Sequence, residues 1–403
     1  VQSQFARGAI YSGRDSNPYG QRPADFKSAA SAIPPPEPNG LFSRHLSVLW
    51  RAARLPDKRI FKMRVFKKSA ANQGVFGAQP AGAFGSLGVF LLQKLSEILL
   101  ECGKSRQSHM ENKASEKPFK LLFAPNPSGW CRHLAGGCSK LSDADKVEYF
   151  YDRGFRAMEY NEYADLPVGT QEAIAARMRK LGMRMGVFAP RVGSWEVPNL
   201  TGNILDPRSR SRDKEGVRRM VRSVMEKALA AARRSGAEWF TVVIGAEDPS
   251  LEYEYQFANV VEHLKWAAEF LEKNGGPAMV LESLNIKNHP GLWLKRIPQA
   301  YAVCKAVGSP KCKILNDLYH QQVTEGNLIP NIDAAWDEIA YFQIADNPGR
   351  NEPGTGEINY AKVMGHIAGK GYRGIIGLEL VQSDASAAGD KFFLDSVRAI
   401  DAA

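Results

Sequence analysis

No run of 18 or more apolar residues occurs in the sequence, so no membrane-spanning helix and no membrane partner is expected. Cysteine is scarce: Cys102, Cys131, Cys138, Cys304 and Cys312 are odd in number and form no CxxC pair. That excludes a disulfide framework and a zinc-ribbon type of site, and it suits buried thiols in a reducing, cytoplasmic setting. Histidine is scarce too. Seven residues, none at the expected ends of the second, third or seventh strands, are too few for a multi-zinc centre. No GxGxxG loop follows an early strand, which removes the main signature of a dinucleotide-binding sheet.

A formal charge of +10 invites a nucleic-acid reading, but its distribution argues against one. Residues 1–117 hold 18 Lys and Arg against 8 Asp and Glu, and the rest of the chain carries 35 of each sign. The surplus belongs to the N-terminal segment, where solvated, poorly packed charge is the ordinary explanation. That segment also contains Ile33-Pro34-Pro35-Pro36-Glu37-Pro38, a linker-like composition that cannot bury enough apolar surface to offset its ordering entropy. We therefore expect residues 1–117 to be a poorly ordered, basic extension. Within it, Leu87, Leu91, Leu92, Leu95, Ile98, Leu99 and Cys102 fall at helical spacing, predicting an amphipathic helix over 87–102. Residues 63–92 follow the order of a signal peptide, with basic residues ahead of an apolar stretch, but no clean cleavage site follows.

From Phe119 onward a regular rhythm sets in: a short β-type run, a polar loop, a helical pattern, and then commonly a glycine before the next run. Strands are predicted at 120–124, 156–160, 184–189, 239–244, 278–282, 312–317, 340–345 and 374–380. Helices are predicted at 142–153, 169–181, 213–235, 254–274, 292–307, 328–338, 360–370 and 389–401. Gly154, Gly182, Gly236, Gly275, Gly308 and Gly371 sit where helices must end in a left-handed residue. Strict alternation implies parallel strands joined by helical crossovers, and eight such units close into a (β/α)₈ TIM barrel over 118–403.

Four successive strands close on an oxygen-bearing side chain. Met279-Val280-Leu281 ends on Glu282, Ile314-Leu315-Asn316 on Asp317, Tyr341-Phe342 on Gln343, and Ile376-Gly377-Leu378 on Glu379. In a barrel these strand ends line one half of the mouth, so the four are expected to converge. Three carboxylates and an amide oxygen form a hard donor set that suits Mg²⁺ or Mn²⁺. Without a cation such close acids would repel one another. Glu282 and Glu379 come from non-adjacent strands and can act as a proton-transfer pair beside a metal-polarised carbonyl, which is aldose–ketose or epimerase chemistry. His320, three residues past Asp317, is expected to contact a substrate oxygen. Arg350, in the loop after Gln343, is expected to hold a substrate carboxylate. Asn126, Trp130, Glu159, Asn161 and Phe188 are expected to form a polar and aromatic wall opposite.

These residues carry a resemblance. Val280-Leu281-Glu282-Ser283-Leu284-Asn285, Ile314-Leu315-Asn316-Asp317-Leu318-Tyr319-His320-Gln321, the loop Pro348-Gly349-Arg350-Asn351-Glu352-Pro353-Gly354-Thr355-Gly356-Glu357-Ile358-Asn359-Tyr360 and Gly377-Leu378-Glu379 are similar to the hydroxypyruvate isomerase family of xylose-isomerase-like barrels. The resemblance implies a divalent metal on Glu282, Asp317, Gln343 and Glu379, proton transfer by the two glutamates, and a keto-sugar or sugar-acid substrate near His320 and Arg350. Asn316 and Ser283 depart from the family pattern, where tyrosine and proline are expected. Two rival readings remain at this stage. One is a non-catalytic barrel that binds a sugar acid; the other is an abasic-site nuclease of the endonuclease IV type, which needs more histidines than are present. No nucleic-acid partner is expected, and assembly into a homo-oligomer is left open.

Overall fold

The structure is a computed structural model that describes residues 116–190, 200–202 and 214–401, all within the compact unit Cys102–Ala403. The helix expected over 87–102 and the signal-like stretch over 63–92 lie outside the described residues.

Eight strands run parallel: β1 (Leu122–Ala124), β2 (Ala157–Met158), β3 (Arg184–Met185), β4 (Trp239–Val242), β5 (Ala278–Glu282), β6 (Cys312–Asp317), β7 (Ile339–Gln343) and β8 (Ile375–Gly377). Six of them pair in the order β1-β8-β7-β6-β5-β4, and β2 pairs with β3. Two backbone bonds join these pieces. The Glu159 N–H donates to Pro125 O at 3.2 Å between the first and second strands, and the Thr241 N–H donates to Phe188 O at 2.9 Å between the third and fourth. The ring is thereby complete, as the alternation of the sequence requires.

Helices wrap the outside: α1 (Asp143–Asp152), α2 (Val168–Leu181), α3 (Lys214–Ser235), α4 (Tyr253–Lys273), α5 (Ile297–Val307), α6 (Leu318–Thr324), α7 (Leu328–Ala335), α8 (Tyr360–Gly369) and α9 (Ala387–Ile400). The six glycines expected after helices all have positive φ, from +60° to +91°. No described helix is long and apolar enough to cross a membrane. Two cores result. A small inner plug of Ala124, Ala157, Val187, Val280, Leu315, Tyr341 and Ile375 fills the barrel, and a larger shell lies between strands and helices. Cys131, Cys138, Cys304 and Cys312 are buried free thiols.

The structure corrects several boundaries. The helix expected over 292–307 begins at Ile297, because Pro298 lacks an N–H and fits only the first helical turn. Leu292 instead bridges Ala246. The strand expected to reach 380 ends at Gly377, although the chain stays tied beyond it through Leu378 N–H to Ala124 O at 2.9 Å. Residues 318–324, not anticipated as a helix, form α6 because Asp317 caps it, its Oδ1 accepting the N–H groups of Tyr319 at 2.8 Å and His320 at 3.1 Å.

Where chain end meets first strand, Asp401 follows α9 and its carboxylate accepts the backbone N–H groups of Lys120 and Leu121, both at 2.9 Å. Removing that acceptor takes one hydrogen bond from each of two part-buried amides. Asp401→Ala is expected to lower stability by about 1–3 kcal/mol, read as a lower urea midpoint at unchanged slope.

Candidate active site

The strand register delivers the four expected residues to one rim. Asp317 and Gln343 are paired across β6 and β7, Gln343 pairs with Gly377 in β8, and Glu282 closes β5 beside Leu315. Glu379 stands two residues beyond Gly377. Glu282, Asp317, His320 and Glu379 each bring a donor atom to a cluster whose members lie within 4.8 Å of one another, and all four are buried.

Neighbours hold Asp317, Gln343, Glu379 and His320 by hydrogen bonds. Asp317 uses Oδ1 to cap α6, and its buried Oδ2 has no hydrogen-bond partner. Gln343 gives its Nε2–H to Glu159, 3.3 Å from either carboxylate oxygen, and its buried Oε1 is left without a partner. Glu379 receives Asn161 Nδ2 at 2.7 Å on one oxygen and Arg350 Nη2 at 2.7 Å on the other. His320 Nδ1 accepts from the Asn285 side-chain amide at 2.7 Å and from its backbone N–H at 3.3 Å, so the ring proton sits on Nε2. Nε2 lies 3.7 Å from both Glu282 Oε1 and Asp317 Oδ2. With the proton there, Nε2 faces both carboxylates as a donor.

The electrostatics follow from burial. Glu282 is pushed well above the carboxylate range, first by loss of solvent and then by Glu379 and Asp317. Asp317 is pushed up to about 7 by burial, against the pull of Arg350 and with help from Glu379. Burial, Arg350 and His289 hold His320 well below its ordinary value, so it is neutral. Glu159 is raised by burial and by Glu379, opposed by its hydrogen bonds to Tyr341, Gln343 and Asn126. Three carboxylates face one guanidinium, an excess of negative charge that a divalent cation neutralises. Oxygen donors aimed into the site without protein partners fit such an ion.

Arg350 reaches the site because its loop is pinned from inside. Fully buried Asp346 accepts the N–H groups of Asn347 at 3.0 Å, Gly354 at 2.8 Å, Gly356 at 2.9 Å and Ile358 at 3.0 Å. Arg350 itself has φ +53°, its carbonyl accepts the Val381 N–H at 2.8 Å, and its guanidinium lies between the rings of Trp130 at 5.1 Å and Tyr319 at 5.2 Å. The cleft over the cluster is lined by Trp130, Asn161, His289, His320, Arg350 and the two glutamates.

Of the wall expected opposite, Trp130 and Asn161 line the cleft, while Glu159 and Asn126 are buried beneath it and joined at 3.4 Å. Phe188 does not line it. Its fully buried ring packs against Tyr163 at 6.1 Å and Phe240 at 6.2 Å, which makes it a core residue. Asn285 and Asp346 were missed by sequence reasoning, since a loop asparagine or aspartate carries no pattern that reports which groups it will bond.

The family model described as xylose isomerase-like TIM barrel matches residues 145–397, and the chain belongs to that family. Among curated relatives, the hydroxypyruvate isomerase of Escherichia coli (strain K12) is 35% identical over 162 residues, 40% of this chain and 62% of that protein. The chain thus spans less than two thirds of that relative. The 2-oxo-tetronate isomerase of Cupriavidus necator is 28% identical over 239 residues, 59% of this chain and 86% of that protein. A solved structure described as AP endonuclease, family 2, from Brucella melitensis is similar with a TM-score of 0.57 at 22% identity, covering 68% of this chain and 98% of the other, a likeness of fold alone.

Because Asp317 and Glu282 must both lose a proton to bind a cation, Mn²⁺ affinity is expected to weaken by about tenfold per pH unit or more as pH falls through about 7, and to go on rising above it until Glu282 is also ionised. The linked effect on folding has the opposite sign. Asp317 titrates higher in the folded than in the unfolded chain, so its contribution to the stability of the metal-free protein is complete at acid pH and is lost as pH rises through about 7. Calorimetric Mn²⁺ titrations and metal-free melting temperatures between pH 5.5 and 8.5 measure both slopes.

Proposed function

We propose that the protein is a divalent-metal-dependent isomerase or epimerase of short keto acids or keto-sugars, working by proton transfer between adjacent carbons. The observation that carries this reading is the convergence of Glu282, Asp317 and Glu379 within 4.8 Å, with Asp317 Oδ2 and the Oε1 of its strand neighbour Gln343 both buried without a hydrogen-bond partner. The relatives' names, both referring to isomerases of 2-oxo acids, support the carboxylate-bearing substrate class.

In this reading Glu282, Asp317, Gln343 and Glu379 hold Mg²⁺ or Mn²⁺, which supplies Lewis-acid polarisation of the substrate oxygens as charge develops on them. Glu282, whose burial favours holding a proton, removes one from the carbon next to the carbonyl and so leaves an enediolate. Glu379, oriented by Asn161 and Arg350, delivers to the neighbouring carbon a proton first taken up from solvent, and Glu282 then gives its own to solvent. In an isomerisation the substrate's hydroxyl proton passes to the former carbonyl oxygen; the reverse reaction exchanges the roles of the two glutamates. His320 donates its Nε2–H to a substrate oxygen without changing charge, because Asn285 fixes the tautomer. Arg350 receives the substrate carboxylate by sharing its bond to Glu379. The activity resides in residues 118–403, whose balanced charge favours a small-molecule partner over a nucleic acid.

Deuterium from solvent should enter hydroxypyruvate or 2-oxo-tetronate, or a member of a ketose panel, in the presence of Mn²⁺, for the whole chain and for fragment 110–403 alike. Glu282→Gln and Glu379→Gln should each slow the exchange by about 10²–10⁴-fold. Absence of exchange on every substrate tested would favour a non-catalytic, sugar-acid-binding barrel.

A further inference from the structure

Glu159 is a buried carboxylate for which the proton-transfer scheme has no use. It stands just past β2, is 0% exposed, and meets only neutral donors. Oε1 accepts Asn126 Nδ2 at 3.4 Å and Gln343 Nε2 at 3.3 Å, while Oε2 accepts Tyr341 Oη at 3.0 Å and the same Gln343 Nε2 at 3.3 Å. A buried carboxylate served only by neutral groups costs stability relative to an apolar or amide replacement, so stability alone does not explain its presence.

The surrounding backbone is shaped to admit it. A Cβ at Gly377 would fall 1.9 Å from Glu159 Oε2 and 2.9 Å from Gln343 Cγ, and a Cβ at Gly186 would fall 2.4 Å from Tyr341 Oη and 3.1 Å from Glu159 Cβ. Gly377, which closes β8, and Gly186, which follows β3, therefore lack side chains just where this acid and its partners sit. Tyr341 and Gln343 occupy alternate positions of β7 and so share its inner face, which means Glu159 grips that strand at two successive inward residues.

A glutamine amide has two orientations of nearly equal shape, related by exchange of its oxygen and nitrogen. Both Glu159 oxygens accept two bonds each and donate none, the pattern of an ionised carboxylate, and above such a group only one orientation is tolerated, because the other sets oxygen against oxygen. The tolerated one leaves Gln343 Oε1 buried, without a hydrogen-bond partner, on the side away from Glu159.

We propose that Glu159 is a positioning residue for the metal centre: it holds the Gln343 amide by its nitrogen and so presents Gln343 Oε1, rather than Nε2, to the divalent cation. This rests on the metal reading given above and adds to it a carboxylate that touches neither substrate nor ion. Partners behind a ligand fix its orientation and raise its donor strength, and their loss commonly weakens metal binding ten- to a hundredfold.

The test is Mn²⁺ binding by calorimetry to the metal-free full chain, together with melting temperatures of the same preparations. In Glu159→Gln the new amide can face Gln343 with either end, so the orientation is no longer imposed. Mn²⁺ affinity should fall about ten- to a hundredfold, while the melting temperature of the metal-free protein stays level or rises because a buried charge has gone. Tyr341→Phe, which removes one donor but keeps the carboxylate, should change affinity less than about threefold on the scale of one ordinary hydrogen bond. An affinity within twofold of wild type in Glu159→Gln overturns the proposal. So does a parallel loss of affinity and melting temperature in both variants, which marks a packing role. If the wild-type chain itself takes up no Mn²⁺, the metal reading falls and this proposal with it, whereas wild-type binding that Glu159→Gln leaves intact overturns the positioning role alone.

Discussion

Everything at the mouth of this barrel answers to one constraint: like charges have been taken out of water and set beside each other. Glu282, Asp317 and Glu379 share a cluster spanning less than 5 Å, and burial already disfavours the ionised forms of Glu282 and Asp317 before the repulsion of their neighbours is added. The chain relieves this in part. Arg350 is brought in on a loop wound around Asp346, helix α6 is aimed so that its first N–H groups meet Asp317, and Asn161 caps Glu379. What remains is Asp317 Oδ2 and Gln343 Oε1, buried without a hydrogen-bond partner, a demand that the proposed small, hard cation would meet.

A second principle runs through three of the same residues, each with one atom engaged by the protein and another without a hydrogen-bond partner. Asp317, Gln343 and His320 all obey it, through α6, Glu159 and Asn285 respectively. The engaged half sets the geometry of the free half, so a site assembled from four different strands does not depend on side-chain packing alone. Such preorganisation would lower the cost of ordering these side chains around the proposed ion and substrate.

The fold was legible because its signals are periodic and local. Alternating runs, helix-ending glycines and short loops recur through the chain, and all eight strands formed at or inside the expected limits to within a residue. The strand-end acids were legible for the same reason, since position on a barrel strand is a register property. What escaped were interactions whose partners are remote in sequence. Asn285 orients a histidine 35 residues away, Glu159 orients an amide 184 residues away, and Asp346 organises a loop through backbone groups that leave no trace in residue type. Helix α6 was missed because its cap, Asp317, was read only as a ligand. Phe188 was misplaced because an aromatic at a strand end can turn to the cleft or to the helices, and one sequence does not say which.

The divided bonding of Asp317 has a bearing on how side-chain replacement there is to be interpreted. Asparagine retains an oxygen able to receive the two amides that open α6 but carries no charge, whereas alanine removes both the receiver and the charge. The gap between those two replacements isolates the worth of a helix's opening turn, and the gap between asparagine and the native residue isolates the worth of the anion. One position thus lets architecture and chemistry be weighed separately within the same molecule.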